Sequence, residues 1–316
     1  MAAFHKLPLG HTTKNQELFL AYEQINKTST DNNNNNNNNN GLTYVCLPGL
    51  GDLRNQYRFL GPLLAKDQHG QPNIVYAADL RGHGDSSPHF DDYSVNAGAQ
   101  DIIALLKKLN QEHGKQQRFV LVGNSFSAAT ISVVLGRELP HLDDLKDQIV
   151  GAALVGPFVK NYPADKWFRP LTHVLFGARW YGVAMWTMYW KTLFMDTEKN
   201  PADFKDRVAQ LDAKMREPGR LQATARMMRA SKEDSEAVLT KFGVKGSATP
   251  LKVLVVMGDQ DPDFSDPVGE AKWITDKINE AGAARVTCES HIVANSKHYP
   301  HVEYPEEVAS AMLRFF

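Results

Sequence analysis

The chain has 316 residues, with 35 basic side chains against 36 acidic ones. That balance weighs against a nucleic-acid backbone or an anionic membrane surface as the main partner. No apolar run approaches the ~18–20 residues of a membrane span, and the opening Met-Ala-Ala-Phe-His-Lys-Leu-Pro lacks the continuous apolar core of a signal peptide. Two cysteines, Cys46 and Cys288, make no disulfide framework; each lies in an apolar strand-like run and reads as a buried free thiol of a cytoplasmic protein.

In chain order, residues 17–24 alternate into an apolar run and predict a strand. The polar stretch 28–40 contains nine consecutive asparagines, Asn32 to Asn40. Such a tract cannot bury enough surface to offset its ordering entropy, so a disordered hairpin extension is expected. Residues 42–47 form a second strand, ending in Pro48-Gly49-Leu50-Gly51-Asp52. A helix is expected over about 55–65, with Tyr57, Leu60, Leu63 and Leu64 as its apolar stripe. Next come a strand at 73–78, the turn-rich Asp79-Leu80-Arg81-Gly82-His83-Gly84-Asp85-Ser86-Ser87, and a helix over 95–109 carrying Ile102, Leu105, Leu106 and Leu109. A strand at 119–122, a helix at 128–135 and a strand at 149–155 complete the first half.

After Lys160 the character changes. Up to about Ser235 the sequence suggests helices broken at Pro163, Pro170, Pro201 and Pro218-Gly219, without a convincing strand. Alternation resumes with strands at 251–257 and 285–293 and helices near 268–281 and 305–316. Strands alternating with helices imply a mostly parallel sheet with right-handed crossovers. The expected division is a core of residues 1–159 and 241–316 and a helical lid of residues 160–240.

The residues between the strand at 119–122 and its following helix are Gly123-Asn124-Ser125-Phe126-Ser127. They must turn the backbone from strand to helix within a few residues, the context of a nucleophile elbow that raises a serine hydroxyl at the carboxyl edge of a sheet. The usual G-x-S-x-G pattern ends here in Ser127, close enough in size to glycine to permit tight helix–strand packing. A serine needs a base, and the base an orienting acid. The strand at 251–257 runs into Gly258-Asp259-Gln260-Asp261-Pro262-Asp263, with Asp266 beyond, and the strand at 285–293 into Ala294-Asn295-Ser296-Lys297-His298-Tyr299-Pro300-His301. Acid and base therefore follow the serine in the order Ser, Asp, His, with several aspartates and two histidines competing. A metal-binding His298/His301 pair lacks an H-E-x-x-H context, so no metal is expected.

These segments resemble the α/β-hydrolase fold with a helical cap, the esterase and lipase type. The likeness is carried by Asp79-Leu80-Arg81-Gly82-His83-Gly84-Asp85-Ser86, the elbow, Gly258-Asp259-Gln260-Asp261, and His298-Tyr299-Pro300-His301-Val302-Glu303-Tyr304-Pro305-Glu306-Glu307-Val308. It implies a mostly parallel central sheet flanked by helices, with an all-helical lid inserted after the sixth strand. It also implies Ser125 as nucleophile, Asp261 as acid and His298 as base, with the backbone N–H groups of Leu50 and Phe126 as oxyanion hole. The family's usual His-Gly opening of the first loop is Pro48-Gly49 here, which leaves a backbone donor on Leu50 in place. His301 is expected to pack with Glu303 and Tyr304 at the start of the closing helix, and Arg81, Gly82 and Gly84 to be structural.

Four of the five tryptophans lie in the lid: Trp167, Trp180, Trp186 and Trp190. Tyr162, Phe168, Phe176, Tyr181, Tyr189 and Phe194 join them. Trp186, Tyr189 and Trp190 share one broad helical face and are expected to line a substrate pocket. The expected activity is hydrolysis of an ester, thioester or lactone of a small, largely apolar molecule through an acyl-enzyme, without a cofactor. Acyl transfer, hydroxynitrile-lyase-type cleavage and a non-catalytic receptor on the same scaffold remain alternatives. The oligomeric state is not legible.

Overall fold

In the computed structural model the described residues are 4–13, 15–25, 41–66, 72–113, 117–162, 172, 176, 179–195, 200–245 and 250–316. The asparagine tract and the lid aromatics Trp167 and Phe168 lie outside them.

Eight strands build one sheet in the order β1-β2-β4-β3-β5-β6-β7-β8. They are β1 (His5–His11), β2 (Glu17–Gln24), β3 (Leu42–Leu47), β4 (Ile74–Ala78), β5 (Arg118–Asn124), β6 (Ile149–Val155), β7 (Leu251–Gly258) and β8 (Val286–Val293). From β4 through β8 every pairing is parallel; β1 and β2 form an antiparallel edge. The middle strands read as unbroken apolar runs because both faces are covered. In β5, Phe119 and Leu121 enter one core cluster while Val120 and Val122 enter the other, and all four are fully buried.

Helices α2 (Val95–His113), α3 (Phe126–Val133) and α8 (Pro267–Asn279) cover the first face; α1 (Leu60–Leu64) and α9 (Pro305–Phe315) cover the second. β1 was not expected from the sequence. Its Pro8 and Gly10 weaken the strand signal, and the pairing with β2 shifts register between those two residues, a feature tolerated at a sheet edge. The single helix expected over 55–65 is two pieces, a 3₁₀ turn at Arg54–Arg58 and then α1. Pro62 lies in the first turn of α1 and has no N–H to extend a helix from the preceding turn.

Between β6 and β7 the described residues contain helices and no strand: α4 (Arg179–Thr192), α5 (Phe204–Met215), α6 (Arg220–Met228) and the short α7 (Glu233–Glu236). Their buried side chains form a third cluster with Leu53 from the loop after β3 and with Tyr299 and Val302. Arginines pin this segment to the core. Arg207 reaches the buried Asp52 carboxylate at 3.3 Å, Arg58 grips Asp203 through two nitrogens at 2.5 Å, and Arg226 donates to the Phe90 carbonyl at 2.9 Å.

Within the Asp79–Ser87 turn, Arg81 and Gly84 have structural tasks. Arg54 pairs with both Asp79 and Asp85, and Arg81 makes a bidentate bond to Asp101 at 2.7 Å. Gly84 has φ 51°, and a Cβ there would stand 2.2 Å from the Asp79 carboxyl group.

Candidate active site

β5 ends at Asn124 and α3 begins at Phe126, so Ser125 alone makes the turn. Its backbone sits at φ 55°, ψ −118°, a conformation a non-glycine residue holds only where its surroundings impose it. The surroundings are tight. A Cβ at Gly123 would lie 2.9 Å from the Ser127 carbonyl carbon, so glycine is required where helix and strand close on each other. Ser127 fills the position where a second glycine is usual, and its hydroxyl donates to the Pro48 carbonyl at 2.5 Å. That bond ties the elbow to the loop carrying Leu50. Asn124 is fully buried, and its amide donates to the Val155 and His298 carbonyls at 3.1 and 3.3 Å, joining the elbow to β6 and to the loop after β8.

The carboxylate-rich turn after β7 separates into distinct tasks. Asp261 is 2% exposed; its Oδ2 lies 2.7 Å from His298 Nδ1, and its Oδ1 accepts the Asp263 N–H at 3.0 Å. Asp259 accepts the Ser296 N–H and so braces the loop after β8, while Asp266 caps α8 by accepting the Gly269 N–H at 2.9 Å. Asp263 Oδ2 stands 3.7 Å from the same imidazole nitrogen, and its Oδ1 accepts the Tyr189 hydroxyl at 2.6 Å. Close approach of the two loops explains Gly258, where a Cβ would stand 2.1 Å from the Lys297 carbonyl oxygen.

His298 is buried, and burial alone would push its imidazole down. Asp261, then Asp263 and Asp52, overcome that and hold it at about 9. The Leu193 carbonyl accepts the His298 N–H at 3.1 Å, so the segment between β6 and β7 also fixes the loop after β8. His301 differs from expectation. It is fully buried against Tyr57 and Tyr299, at 5.1 and 5.9 Å between ring centroids, and burial lowers it to about 3. Glu303 instead accepts from the Ser296 hydroxyl and the Lys297 N–H, at 2.7 and 2.9 Å. The aromatic slot between Tyr57 of the 3₁₀ turn and Tyr299 was invisible in the His-x-x-His-x-Glu spacing.

Ser125 and His298 border one cavity of about 500 Å³, together with Leu50 and Phe126. Among the described residues the Ser125 hydroxyl makes no hydrogen bond, and neither the Leu50 nor the Phe126 N–H donates to another residue. Catalytic hydrogen bonds in an empty site commonly tighten only around substrate. Trp186 and Tyr189 line the cavity, alongside Phe158, Phe176, Met185, Met227 and Met228.

Trp190 does not line it. Its ring stacks on Phe204 of α5 at 5.7 Å, and its Nε1 donates to Asp52 at 3.3 Å. One residue beyond Tyr189, the helical rotation carries Trp190 out of the cavity wall and into the seam with α5. Two polar residues of the lining, Asp263 and Lys232, were not expected in the pocket from sequence, where Asp263 was weighed only as a competing acid; the partner of Asp263 in the lining, Tyr189, is 74 residues away. Asp261, Asp263 and His298 are also the cluster whose ligand atoms lie within 4.8 Å of one another.

A family model described as "Alpha/beta hydrolase family" matches residues 44–311. The chain belongs to the alpha/beta hydrolase family. No curated protein matches this alpha/beta hydrolase closely enough to be named beside it. Among solved structures it is similar to a bromoperoxidase from Bacillus anthracis, with TM-score 0.73 and 17% identity over 99% of each chain. It is also similar to a thermophilic esterase from Thermogutta terrifontis, with TM-score 0.69 and 19% identity over 99% of this chain and 97% of that one. A third is the enol-lactonase from Burkholderia xenovorans LB400, with TM-score 0.65 and 16% identity over 94% and 96%. At these identities the likeness concerns the fold. No helix among the described residues of this hydrolase is long and apolar enough to cross a membrane.

Proposed function

We propose that this hydrolase cleaves an ester, thioester or lactone of a small, largely apolar substrate through an acyl-enzyme on Ser125. The observation that carries the reading is the strained Ser125 backbone at a strand-to-helix turn, bordering the same cavity as the imidazole held by Asp261. In this reading His298 takes the Ser125 proton as the hydroxyl attacks the carbonyl carbon, and Asp261 holds Nδ1 and stabilises the imidazolium. The tetrahedral oxyanion is received by the Leu50 N–H and by the Phe126 N–H at the start of α3. His298 returns the proton to the leaving oxygen or sulfur, and a water repeats the sequence to release the acid and regenerate Ser125.

Apolar side chains from Phe158 to Met228 favour an apolar acyl or alcohol portion. The helical block 160–240 acts as the cap over it, and the buried thiols of Cys46 and Cys288 suit a reducing, cytoplasmic setting. A fluorophosphonate probe tests the nucleophile: wild type should label at Ser125 and Ser125→Ala should not. A graded panel of p-nitrophenyl esters and lactones tests the substrate class. Labelling without turnover of any panel member would point to acyl transfer or another use of the serine, and no labelling at all would overturn the reading.

A further inference from the structure

We propose that Asp263 is a second acid at the base, a positioning residue that Tyr189 holds at the mouth of the cavity, so that the α4 wall is linked to His298. The proposal rests on the hydrolase reading above. Asp263 occupies a defined place between solvent and the Asp261–His298 pair. Its N–H is bound by Asp261 Oδ1, its Oδ2 stands 3.7 Å from His298 Nδ1, and its Oδ1 is taken by the Tyr189 hydroxyl at 2.6 Å. Tyr189 is 40% exposed, whereas the side chains of Asp261 and His298 are at most 2% exposed. Both Tyr189 and Asp263 line the cavity, so the contact closes its rim where α4 meets the loop after β7. The Tyr189 ring is itself steadied by Trp186, with centroids 5.5 Å apart.

The groups facing His298 are Asp261 and Asp263 from the loop after β7, Asp52 from the loop after β3, and Tyr299 and His301 from its own segment. Phe158 packs edge-on at 6.0 Å and also lies 5.9 Å from the Lys232 ammonium on the cavity wall. Asp261 is committed to Nδ1, and Asp52 is bound by Arg207 and Trp190. Asp263 is the carboxylate in this set that α4 reaches through a cavity-lining hydroxyl. Burial pushes its carboxyl up, Asp261 adds to that, and His298 and the Tyr189 hydroxyl oppose it. The hydroxyl therefore helps keep Asp263 ionised, and an ionised Asp263 favours the imidazolium.

The sign of the test follows. Asp263→Asn removes a negative charge near the imidazole, so His298 should titrate lower by about one unit. Tyr189→Phe removes the donor, shifts Asp263 toward its neutral form and should move His298 the same way by less. Because the hydroxyl acts through Asp263, the double variant should titrate like Asp263→Asn alone. The measurement is the imidazole NMR titration of His298 in the full chain, with the pH dependence of fluorophosphonate labelling beside it. The NMR titration needs no turnover, so failure to hydrolyse any ester bears on the proposed function and not on this result. An unmoved His298 in Asp263→Asn, or shifts that simply add in the double variant, would overturn the proposal. Should Asp263→Asn not fold, Tyr189→Phe decides alone: a downward shift supports it, no shift overturns it.

Discussion

The two walls of the cavity are built on different principles. On the sheet side, backbone and polar atoms hold the side chains proposed to react. Ser125 is held at positive φ, Asn124 binds two loops, Ser127 is bonded to Pro48, and Gly123 and Gly258 sit where no Cβ fits. On the side of α4 and α6 the wall is Trp186, Met185, Met227 and Met228, apolar and adaptable, with the Tyr189–Asp263 contact at its rim. Directional bonds and steric closure leave the sheet side one arrangement. Contacts among methionines and aromatics leave the helical side many near-equivalent packings, the setting in which substrate preference is tuned without disturbing chemistry. Changes on the sheet side should thus remove activity at constant substrate preference, and changes on the helical side should do the reverse.

The largest effects belong to the sheet wall. Ser125→Ala and His298→Ala should abolish ester turnover and probe labelling while circular dichroism and the unfolding midpoint stay near wild type. Asp261→Asn should lower kcat by about three to four orders of magnitude, because it presents the wrong partner to Nδ1. Asp259→Asn should lose far less, since its carboxylate braces the Ser296 N–H and does not touch the imidazole. A collapse in Asp259→Asn with an active Asp261→Asn would reassign the acid.

An intermediate effect separates two neighbouring tryptophans of α4. Trp186 lines the cavity and donates to the Gly51 carbonyl at 3.0 Å; Trp190 lies in the seam with α5. Trp190→Ala should chiefly destabilise, by about 3–5 kcal/mol as large aromatic truncations in cores do, with the ester-size preference of the folded fraction unchanged. Trp186→Ala should also lower stability, but its signature is altered preference toward bulkier esters. Identical substrate profiles for the two variants would erase the distinction drawn between the walls.

The pH dependence is a milder probe of the same site. Held at about 9, the His298 imidazole is mostly protonated at neutral pH. The value of kcat/KM should therefore rise with pH, about tenfold per unit, and level off near 9. Stability runs the opposite way. The folded value lies above the ordinary histidine value of about 6.5, so the stabilisation is complete below that value and is lost as pH rises through about 9. A plateau already reached at pH 7 would show the carboxylates around His298 to be weaker partners than their distances indicate.

The parts of this molecule that periodicity and turn chemistry determine were readable from sequence. Parallel strands buried on both faces announce themselves as apolar runs, and the elbow, the acid turn and the base loop each follow such a run. What could not be read depends on side chains meeting across long separations. Glycine and proline hid β1, whose pairing needs the edge position to tolerate them. The stripe of α4 gave Trp186, Tyr189 and Trp190 one face, but only the position of Phe204 divides that face between cavity and seam. Asp263 looked like a spare carboxylate because its partner Tyr189 is 74 residues away.

The smallest expected effect comes from the asparagine tract, on grounds of sheet polarity. The tract lies in the connection from β2 to β3, so it enters β3 at its amino end. β3 runs parallel to β5, and the Leu50 loop and Ser125 leave these strands at their carboxyl ends. Leu42, where this connection joins β3, and the cavity are therefore at opposite edges of the sheet. Replacing residues 28–40 with a short Gly-Ser turn should leave kcat/KM and the pH profile unchanged. It should alter stability by only about 1 kcal/mol, because closure entropy grows with the logarithm of loop length. A shift of the unfolding midpoint well beyond that, or a change in ester preference, would mean that the tract packs on the folded body and reaches farther toward the cavity than the strand directions allow.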